Sequence, residues 1–326
     1  MKRPAIRLAV LIPCFNEEVA IGDVVVGFAK ALPSATIYVY DNNSTDRTKE
    51  KAIAAGAIVR SEPLQGKGNV VRRMFSDIEA DVYVMVDGDA TYDPTSADAM
   101  MRLLVSENLD MVVARRLHTQ AEAYRAGHVL GNRVLTSFLC NLFGRRFTDV
   151  LSGYRVFSRR FVKSFPALST GFETETELTV HALTLGLPIA EIESKYLPRP
   201  LGSASKLHTV RDGFRILRVI LTLLKNERPI LFFGTLAAIL ALASLSLTVP
   251  LAVTYLETGL VPRLPTAVLS ASIMLLSFLS LACGLILDTV TRGRRETKRL
   301  AYLQAAAPAE LLRASLVDEM SVPPIQ

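Results

Sequence analysis

The sequence predicts an α/β soluble domain followed by two membrane-spanning helices, and three observations support this prediction. Half of the 326 residues are hydrophobic, yet 21% are charged. Between residues 229 and 287 the only charged residues are Glu257 and Arg263, so the remaining chain carries an ordinary globular charge density. Before residue 229, apolar runs of strand length alternate with runs of helix length. This composition excludes intrinsic disorder for most of the chain.

The alternating pattern predicts a mostly parallel sheet with helices on its faces. Strands are predicted at residues 7–12, 36–40, 57–60, 82–86 and 109–114. Helices are predicted at residues 17–31, from residue 44, and at 68–80 and 94–106. In such a sheet, ligands bind beyond the carboxyl ends of the strands. Polar side chains follow four of these strands, namely Asn16 and Glu17, then Asp41 to Asp46, then Asp87 and Asp89, then Arg115 and Arg116.

Two short motifs in this domain point to phosphate chemistry. Asp87 and Asp89 are two residues apart at a strand end, so both can point the same way and hold one hard divalent cation against a diphosphate. The alternative is ordinary turn chemistry. The glycines of Gly66-Lys67-Gly68 either let the backbone approach an anion that Lys67 neutralises, or form a tight turn before a helix.

Several other classes of protein are excluded or lose support. The sequence has neither the G-x-G-x-x-G of dinucleotide-binding proteins nor the G-x-x-x-x-G-K-[ST] of P-loop enzymes. Its three cysteines, Cys14, Cys140 and Cys283, are far apart and support neither a disulfide framework nor a zinc site. A net charge of +6 does not indicate nucleic-acid binding, because the cations cluster beside the apolar segments and are not interleaved with aromatic residues.

The apolar segments predict two spans and an orientation. Residues 230–256 and 264–287 carry no charge and each exceed the roughly 20 residues that cross a bilayer. Lysine and arginine flank both outer ends, so both termini and the soluble domain are predicted to be cytoplasmic, at the plasma or inner membrane. Residues 205–228 form a basic amphipathic helix, which we place at the membrane surface, although a core-packing helix is the alternative. The predicted domains are therefore 1–204, 205–228, 229–290 and a tail, 291–326.

The motifs of the soluble domain, taken together, resemble a known family. The runs IPCFNEE, YDNNSTD, GKGN, MVDGDATYD and LSGYRVF, in this order, resemble family 2 glycosyltransferases with the Rossmann-like GT-A fold. The later runs GFETETEL and PRPLGSASKL, followed by the amphipathic helix and two spans, are similar to the polyprenyl-phosphate glycosyltransferases, which include dolichol-phosphate mannose synthases. The resemblance covers about residues 5–287.

This resemblance implies an inverting enzyme that moves one sugar from a nucleotide sugar, linked to UDP or GDP, to a polyprenyl phosphate of the undecaprenyl or dolichyl type. It also implies Mg²⁺ or Mn²⁺ on Asp87 and Asp89. The implied substrate-binding residues are Pro13, Asn16, Glu17, Asp41, Asn43, Lys67, Asp87, Arg199, Ser205 and Lys206, with Asp41 on the base and the last three on phosphate. The implied catalytic residues are Asp89, Arg115 or Arg116, Arg155, Glu175 and Glu177, with the arginines on the lipid phosphate.

Some features leave alternatives open. Glu175 and Glu177 can equally open a helix whose dipole favours acids. The chain departs from the mannose synthases at Thr91, and at Asn42 and Asn43, where many relatives have Asp-Gly. The absence of tryptophan excludes the Q-x-x-R-W motif of processive synthases. Rival functions are transfer to a lipid or protein hydroxyl, which requires a general base, and a catalytically silent nucleotide-sugar scaffold. The tail at residues 300–317 is a candidate element for a homo-oligomer.

Overall fold

The computed structural model describes residues 6–118, 126–144, 147–171, 173–200 and 209–308. The chain divides into two compact units. One comprises Met1–Phe214 together with Lys298–Gln326, and we call it the N-terminal unit. The other comprises Arg215–Thr297, and we call it the hairpin unit.

Up to residue 118, strands and helices alternate in the N-terminal unit as the sequence predicts. The strands are β1 Leu8–Cys14, β2 Thr36–Asp41, β3 Ile58–Ser61, β4 Val82–Met85, β5 Met111–His118, β6 Arg155–Ser158 and β7 Ile189–Tyr196. The helices are α1 Ile21–Ala31, α2 Thr48–Ala54, α3 Lys67–Asp77, α4 Ser96–Ser106, α5 Ala126–Phe143, α6 Arg159–Ser164, α7 Thr174–Leu185, α8 Thr209–Glu227, α9 Pro229–Thr258 and α10 Leu264–Leu303.

The seven strands form one mixed, mostly parallel sheet, which confirms the predicted fold class. Their order is β3-β2-β1-β4-β6-β5-β7, and β6 alone among them runs antiparallel to its neighbours. The chain runs outward from β1 to β3 and then returns to place β4 on the other side of β1. This reversal makes a crevice at the carboxyl ends of β1 and β4, where open α/β sheets bind their ligands.

The core lies on both faces of the central strands. Val10, Leu11 and Ile12 of β1 and all of β4 are buried, because apolar runs without alternation fit a strand that is covered on both sides. The ring of Phe28 on α1 meets the ring of Tyr154 edge to face at 5.6 Å. This contact joins α1 to the segment that precedes β6.

His181 on α7 is buried in an aromatic part of this core. Its Nε2 lies 2.9 Å from Ser164 Oγ, and its ring packs against the rings of Phe161 and Phe165. Burial, assisted by the charge of Lys298, lowers the pKa of His181 to about 3. The folded chain therefore holds this imidazole in its neutral form at physiological pH.

We expect this histidine to make the N-terminal unit sensitive to acid. Below pH 6.5 the imidazole of His181 is protonated in the unfolded chain, whereas in the folded chain it stays neutral down to about pH 3. The free energy of unfolding therefore falls as the pH is lowered from 6.5 toward 3. At pH 5 the loss is about 2 kcal/mol. Between pH 7 and pH 5, His181→Gln should therefore lose about 2 kcal/mol less stability than the wild type. Thermal melting of the full chain in detergent at the two pH values measures this difference. Equal losses in both proteins would contradict it.

Helices α9 and α10 of the hairpin unit are long and apolar enough to cross a membrane. Their most apolar windows are only 11% and 17% buried, unlike a core helix of a soluble protein. Helix α10 runs to Leu303, well beyond the predicted end of the span at Leu287. No proline lies between these two residues, and Asp288 pairs with Arg292 one turn later.

Small residues bring α9 and α10 together. On α10 the buried residues Ser270, Ser277, Gly284 and Thr291 recur every seven positions, the spacing of helices that coil around each other. A Cβ atom on Gly284 would lie 3.1 Å from the Cβ of Phe233, so the backbones approach closely there. Hydroxyl groups then donate across the pair, from Ser244 to the carbonyl of Ser270 (2.7 Å), from Ser277 to that of Ala237 (2.8 Å) and from Ser280 to that of Phe233 (3.0 Å).

From residue 209 onward the predicted amphipathic segment is helical as α8. Residues 205–208, and the side chains up to residue 217, lie outside the described part. The carbonyl groups that end this helix are bonded by α10. Asn226 accepts from the Thr291 hydroxyl at 3.1 Å and from Arg294 at 3.2 Å, and Glu227 accepts from Arg295 at 2.6 Å. These bonds satisfy acceptors that a helix end leaves open.

From Lys298 onward the chain belongs to the N-terminal unit again. Tyr302 donates to Asp110 Oδ2 at 2.9 Å, and Arg160 lies over the Tyr302 ring at 5.0 Å. Asp110 is fully buried at the start of β5 and also pairs with Arg160. Residues 309–326, which include the second half of the predicted assembly element, lie outside the described part, so the homo-oligomer stays a prediction.

Candidate active site

Asp87, Gly88 and Asp89 form a tight turn directly after β4. A Cβ atom on Gly88 would lie 2.5 Å from Cys14 Sγ at the end of β1, so only glycine lets the turn pack on that strand. Ala90 follows at φ +57°, a left-handed conformation that is rare for alanine. Strain of this kind persists where the surroundings hold it, and it is frequent at functional sites.

Both carboxylate oxygens of Asp89 are engaged. Thr91 donates its hydroxyl to Oδ1 at 2.6 Å, and Arg199 places a guanidinium nitrogen 2.6 Å from Oδ2. A second nitrogen of Arg199 lies 3.9 Å from Glu17 Oε1. Thr91, where the sequence departs from the mannose synthases, therefore orients the second aspartate of the Asp-x-Asp.

Lys67 joins the first aspartate to α7. Its Nζ lies 2.5 Å from Asp87 Oδ1 and also contacts Glu175 Oε1. Burial by itself would lower the pKa of Lys67, but the two carboxylates outweigh burial and raise that pKa above its usual value. The lysine is therefore a permanent cation between two predicted site acids.

Close packing against another backbone segment explains why glycine stands on both sides of Lys67. Cβ atoms on Gly66 and Gly68 would each lie 2.1 Å from a carbonyl oxygen, of Thr170 and Ser169 respectively. Gly66 also has φ +126°, which L side chains rarely adopt. These glycines thus form a tight turn before a helix, and the atoms they approach belong to the protein backbone.

Asp41 ends β2 and is fully buried. Its Oδ2 accepts from the Ser44 backbone at 3.2 Å and lies 3.3 Å from Lys49 Nζ. No described residue gives Oδ1 a hydrogen bond. A buried oxygen of this kind is expensive to leave unpaired, so it is suited to a donor that a ligand brings.

Asn16 and Asn43 shape the loops around Asp41. Both have positive φ, 52° and 63°, which asparagine tolerates better than most residues, and this explains how Asn43 stands where relatives have glycine. Asn16 accepts from the Thr45 backbone at 2.8 Å, and Asn43 donates to the carbonyl of Pro63 at 2.8 Å. Pro13 lies in β1 opposite Tyr40.

The structure separates the two neighbouring arginines of β5. Arg116 binds Asp149 through two nitrogens, each at 2.8 Å, and lies 5.5 Å from the ring centre of Tyr196. Arg115 pairs instead with Glu193 on the adjacent strand, where both side chains are exposed. The sequence did not identify Asp149 as a site residue. The only local indication is that it is an acidic residue three positions before Ser152-Gly153, and its partner Arg116 lies 33 positions away.

Arg155 is completely buried in β6. Its guanidinium donates to the carbonyl oxygens of Ser152 and Val150 and to the Thr179 hydroxyl, at 2.6 to 2.9 Å. Burial lowers its pKa to about 10. The structure therefore places Arg155 beneath the loop that precedes it and not among the solvent-accessible cations, so its predicted contact with a lipid phosphate stays a prediction.

The structure also separates the two glutamates of α7. Glu175 reaches the Asp-x-Asp through Lys67, whereas Glu177 accepts the backbone N–H groups of Leu168 and Ser169 at 2.8 and 2.9 Å. Glu177 therefore fixes the segment on which Gly68 packs. Ser205 and Lys206 lie outside the described residues.

The donor set fits a divalent metal that arrives with a substrate. Within the described ranges no group of three or more histidine, cysteine, aspartate or glutamate side chains is placed to hold a metal ion. Mg²⁺ and similar ions, however, are commonly held by one or two carboxylates plus substrate phosphates. Asp87 and Asp89 supply two such carboxylates at the crevice.

Comparison with known proteins assigns this arrangement to a family. Residues 9–165 match glycosyl transferase family 2. Glycosyltransferase AglJ of Haloferax volcanii is 31% identical over 300 residues, which cover 91% of this chain and 98% of AglJ. A dolichyl-phosphate hexose transferase of the same organism is 28% identical over 68% of this chain and 95% of its own length.

A solved structure agrees in fold. Glucosyl-3-phosphoglycerate synthase from Mycobacterium tuberculosis, in complex with Mn²⁺, UDP-glucose and phosphoglyceric acid, is 26% identical with a TM-score of 0.54. The match covers 68% of this chain and 79% of that one. Its complex holds both a divalent metal and a nucleotide sugar.

Proposed function

Because this chain belongs to glycosyl transferase family 2, we propose that it transfers one sugar from a nucleotide sugar to the phosphate of a membrane polyprenol. The observation that carries the acceptor class is the combination, in one chain, of this crevice with two helices of membrane-spanning length. The name of the 28% identical relative, a dolichyl-phosphate hexose transferase, supports the same acceptor.

The donor nucleotide binds at the carboxyl ends of β1, β2 and β4 in this proposal. Asp41 Oδ1, buried and without a described partner, accepts an N–H group of the base, which uracil and guanine both offer. Asp87 and Asp89 would hold Mg²⁺ or Mn²⁺, which would supply positive charge for the departing nucleoside diphosphate. Glu17 lies beside the sugar of the nucleoside, and Arg199 and Lys67 supply the cations near the phosphates.

The acceptor needs positioning more than activation. A phosphate monoester has a second pKa near 6 and is therefore mostly dianionic at pH 7, so its oxygen attacks without a general base. The new bond forms at the anomeric carbon as its bond to the diphosphate breaks, which inverts that carbon. Arg116, held in a fixed plane by Asp149, is the cation that receives the incoming phosphate.

The proposal also specifies where in the cell the enzyme is located. The two spans anchor the enzyme in the plasma or inner membrane, and the basic residues around Arg228 and from Arg292 to Arg299 keep the enzymatic domain and both ends in the cytoplasm. Nucleotide sugars are then available on the side where the crevice lies. The lipid phosphate belongs to the same leaflet.

A matched pair of acceptors tests this function. The purified full chain in detergent should transfer labelled sugar from a UDP- or GDP-sugar to a short polyprenyl phosphate, and not to the polyprenol of identical length that has only a hydroxyl group. EDTA should stop the transfer, and Mg²⁺ or Mn²⁺ should restore it.

The rival functions predict different results in the same assay. Transfer to polyprenol with a bell-shaped pH profile would indicate a hydroxyl acceptor and a general base at Glu175. The contact of Glu175 with Lys67 argues against this rival, because one oxygen of the glutamate is already engaged by a cation. Binding of nucleotide sugar without turnover on either acceptor would indicate a scaffold.

A further inference from the structure

One short loop contacts both the Asp-x-Asp and the acceptor arginine. It comprises residues 149–153, between α5 and β6, and we call it the 149–153 loop. At its end, a Cβ atom on Gly153 would lie 2.2 Å from Asp87 Oδ2, so only glycine lets this backbone pack against the aspartate. At its start, Asp149 binds Arg116 through two nitrogens. A shift of this loop therefore changes the surroundings of Asp87 and of Arg116 together.

Arg155 holds this loop from inside the N-terminal unit. Its side chain is completely buried. One nitrogen donates to the carbonyl of Val150 at 2.6 Å and another to the carbonyl of Ser152 at 2.9 Å, so the guanidinium binds the loop at two points. Hydrogen bonds from a charged donor are about twice as strong as those between neutral groups. The planar guanidinium also offers several donors in fixed directions, a geometry that lysine lacks.

A third donor of Arg155 reaches α7. It bonds the Thr179 hydroxyl at 2.9 Å, and this hydroxyl donates to the carbonyl of Glu175 at 3.0 Å one turn earlier. Glu175 contacts Lys67, whose Nζ lies 2.5 Å from Asp87 Oδ1. The guanidinium is thus connected to Asp87 by two routes, one through the loop and one through the first turn of α7.

Stability alone does not explain an arginine at this position. Among the described residues its acceptors are carbonyl and hydroxyl oxygens and the sulfur of Met111, and none is a carboxylate. Removing a charge from water without such a partner is costly, and burial lowers the pKa of Arg155 to about 10. An apolar side chain of similar size would avoid this cost. The arginine therefore has a role that requires its donors.

We propose that Arg155 is a positioning residue, which contacts neither substrate and holds the 149–153 loop so that Asp87 and Arg116 keep their relative positions. This differs from the direct contact with lipid phosphate that the family resemblance implies for Arg155. The inference rests on the proposed function, in which Asp87 belongs to the donor site and Arg116 receives the acceptor phosphate. It adds that one buried side chain maintains the geometry of both sites.

Hydrogen exchange measures whether Arg155 holds the loop. The purified full chain in detergent is transferred to deuterated buffer, and mass spectrometry follows peptides that span residues 147–154. Arg155→Lys keeps the charge but loses the fork, so these peptides should exchange about tenfold or more faster than in the wild type. Arg160→Lys changes another largely buried arginine, which pairs with Asp110, and should leave this exchange unchanged. Unchanged exchange in folded Arg155→Lys would overturn the inference.

A milder substitution decides the matter if Arg155→Lys does not fold. Thr179→Val nearly keeps the shape of the side chain but removes the hydroxyl that accepts from Arg155, so the same peptides should exchange about threefold or more faster. Thr179→Ser keeps the hydroxyl and should exchange as the wild type does. In that case, equal exchange in the valine and serine variants would overturn the inference.

Kinetics distinguish positioning from direct contact with the phosphate. Arg155→Lys should lower kcat/KM for the polyprenyl phosphate by about 10²-fold. Combined with Asp149→Asn, it should lose no more than the larger of the two single losses, because both residues act through the same loop. Losses that multiply would show that Arg155 acts independently of the loop, as a direct contact would, and would overturn the inference.

The two kinds of measurement separate this inference from the proposed function. Hydrogen exchange requires no substrate and reports on the loop alone. If the wild type transfers sugar to no acceptor, the proposed function is wrong, and the exchange of Arg155→Lys still decides whether Arg155 holds the loop.

Discussion

Asp89→Asn is expected to reduce sugar transfer by about 10³-fold or more, close to abolishing it. The substitution keeps the size of the side chain and an oxygen that can accept from Thr91, but it removes the negative charge that faces Arg199 and, in the proposed function, the metal. Removing one group that stabilises the charge of the transition state raises the activation free energy by about 3–4 kcal/mol, and the binding of the metal would be weakened as well. Initial rates with saturating Mn²⁺ measure the effect.

The chain provides a matched control for this substitution. Asp93 accepts from the backbone N–H of Thr95 at 3.0 Å and from its hydroxyl at 2.8 Å, the pattern that Asp89 makes with Thr91. Asp93 belongs to an exposed turn before α4, whereas Asp89 is buried in the crevice. Asp93→Asn should therefore keep nearly full activity. Substantial transfer by Asp89→Asn, at metal concentrations that saturate the wild type, would reject the metal assignment.

The parallel part of the fold could be predicted because its signals are local. Apolar runs such as residues 82–86 are continuous in sequence, and polar residues at their ends meet at one edge of a parallel sheet. Asp87 and Asp89 were predicted on this ground, and they lie at the carboxyl end of β4 beside β1. The position of the crevice thus follows from the order of strands.

Residues whose partners are distant in sequence were harder to predict. The resemblance implies that Arg155 contacts the lipid phosphate, and sequence alone does not show that the carbonyl of Val150 and the hydroxyl of Thr179 bind this side chain inside the unit. Asp149 was not predicted at all, because its contact with Arg116 depends on how β5 and the loop before β6 fold together. Local patterns contain no information on such pairs.

The two glycines beside Lys67 illustrate a different limit. A Gly-x-Gly before a helix fits both an anion cradle and a close approach of two backbone segments. The carbonyl groups of Ser169 and Thr170 supply the close approach, and they lie about a hundred residues further along the chain. The sequence is compatible with both explanations, and only the tertiary contact shows that the two backbone segments approach each other closely.

Arg116→Lys is expected to lower kcat/KM for the acceptor by about 10²-fold or more while leaving Mn²⁺-dependent UDP or GDP binding unchanged. Lysine keeps the charge but cannot make the two-nitrogen contact with Asp149, so the cation no longer has a fixed position in front of the phosphate. A misplaced group near a reacting atom costs about this much. Acceptor kinetics and donor-binding titrations on the same preparation measure the two effects separately.

Two comparisons decide whether this loss comes from the phosphate contact. Arg160 forms a similarly buried pair with Asp110 at the opposite end of β5, so Arg160→Lys controls for loss of a buried ion pair and should affect stability more than transfer. Arg115→Lys tests the other arginine that the sequence offered, whose exposed partner is Glu193. If Arg115→Lys loses acceptor turnover and Arg116→Lys does not, the lipid phosphate binds on the Arg115 face of β5, and Asp149 with Arg116 only holds the loop before β6. The two neighbouring side chains point to opposite faces of one strand, so the acceptor can approach only one of them.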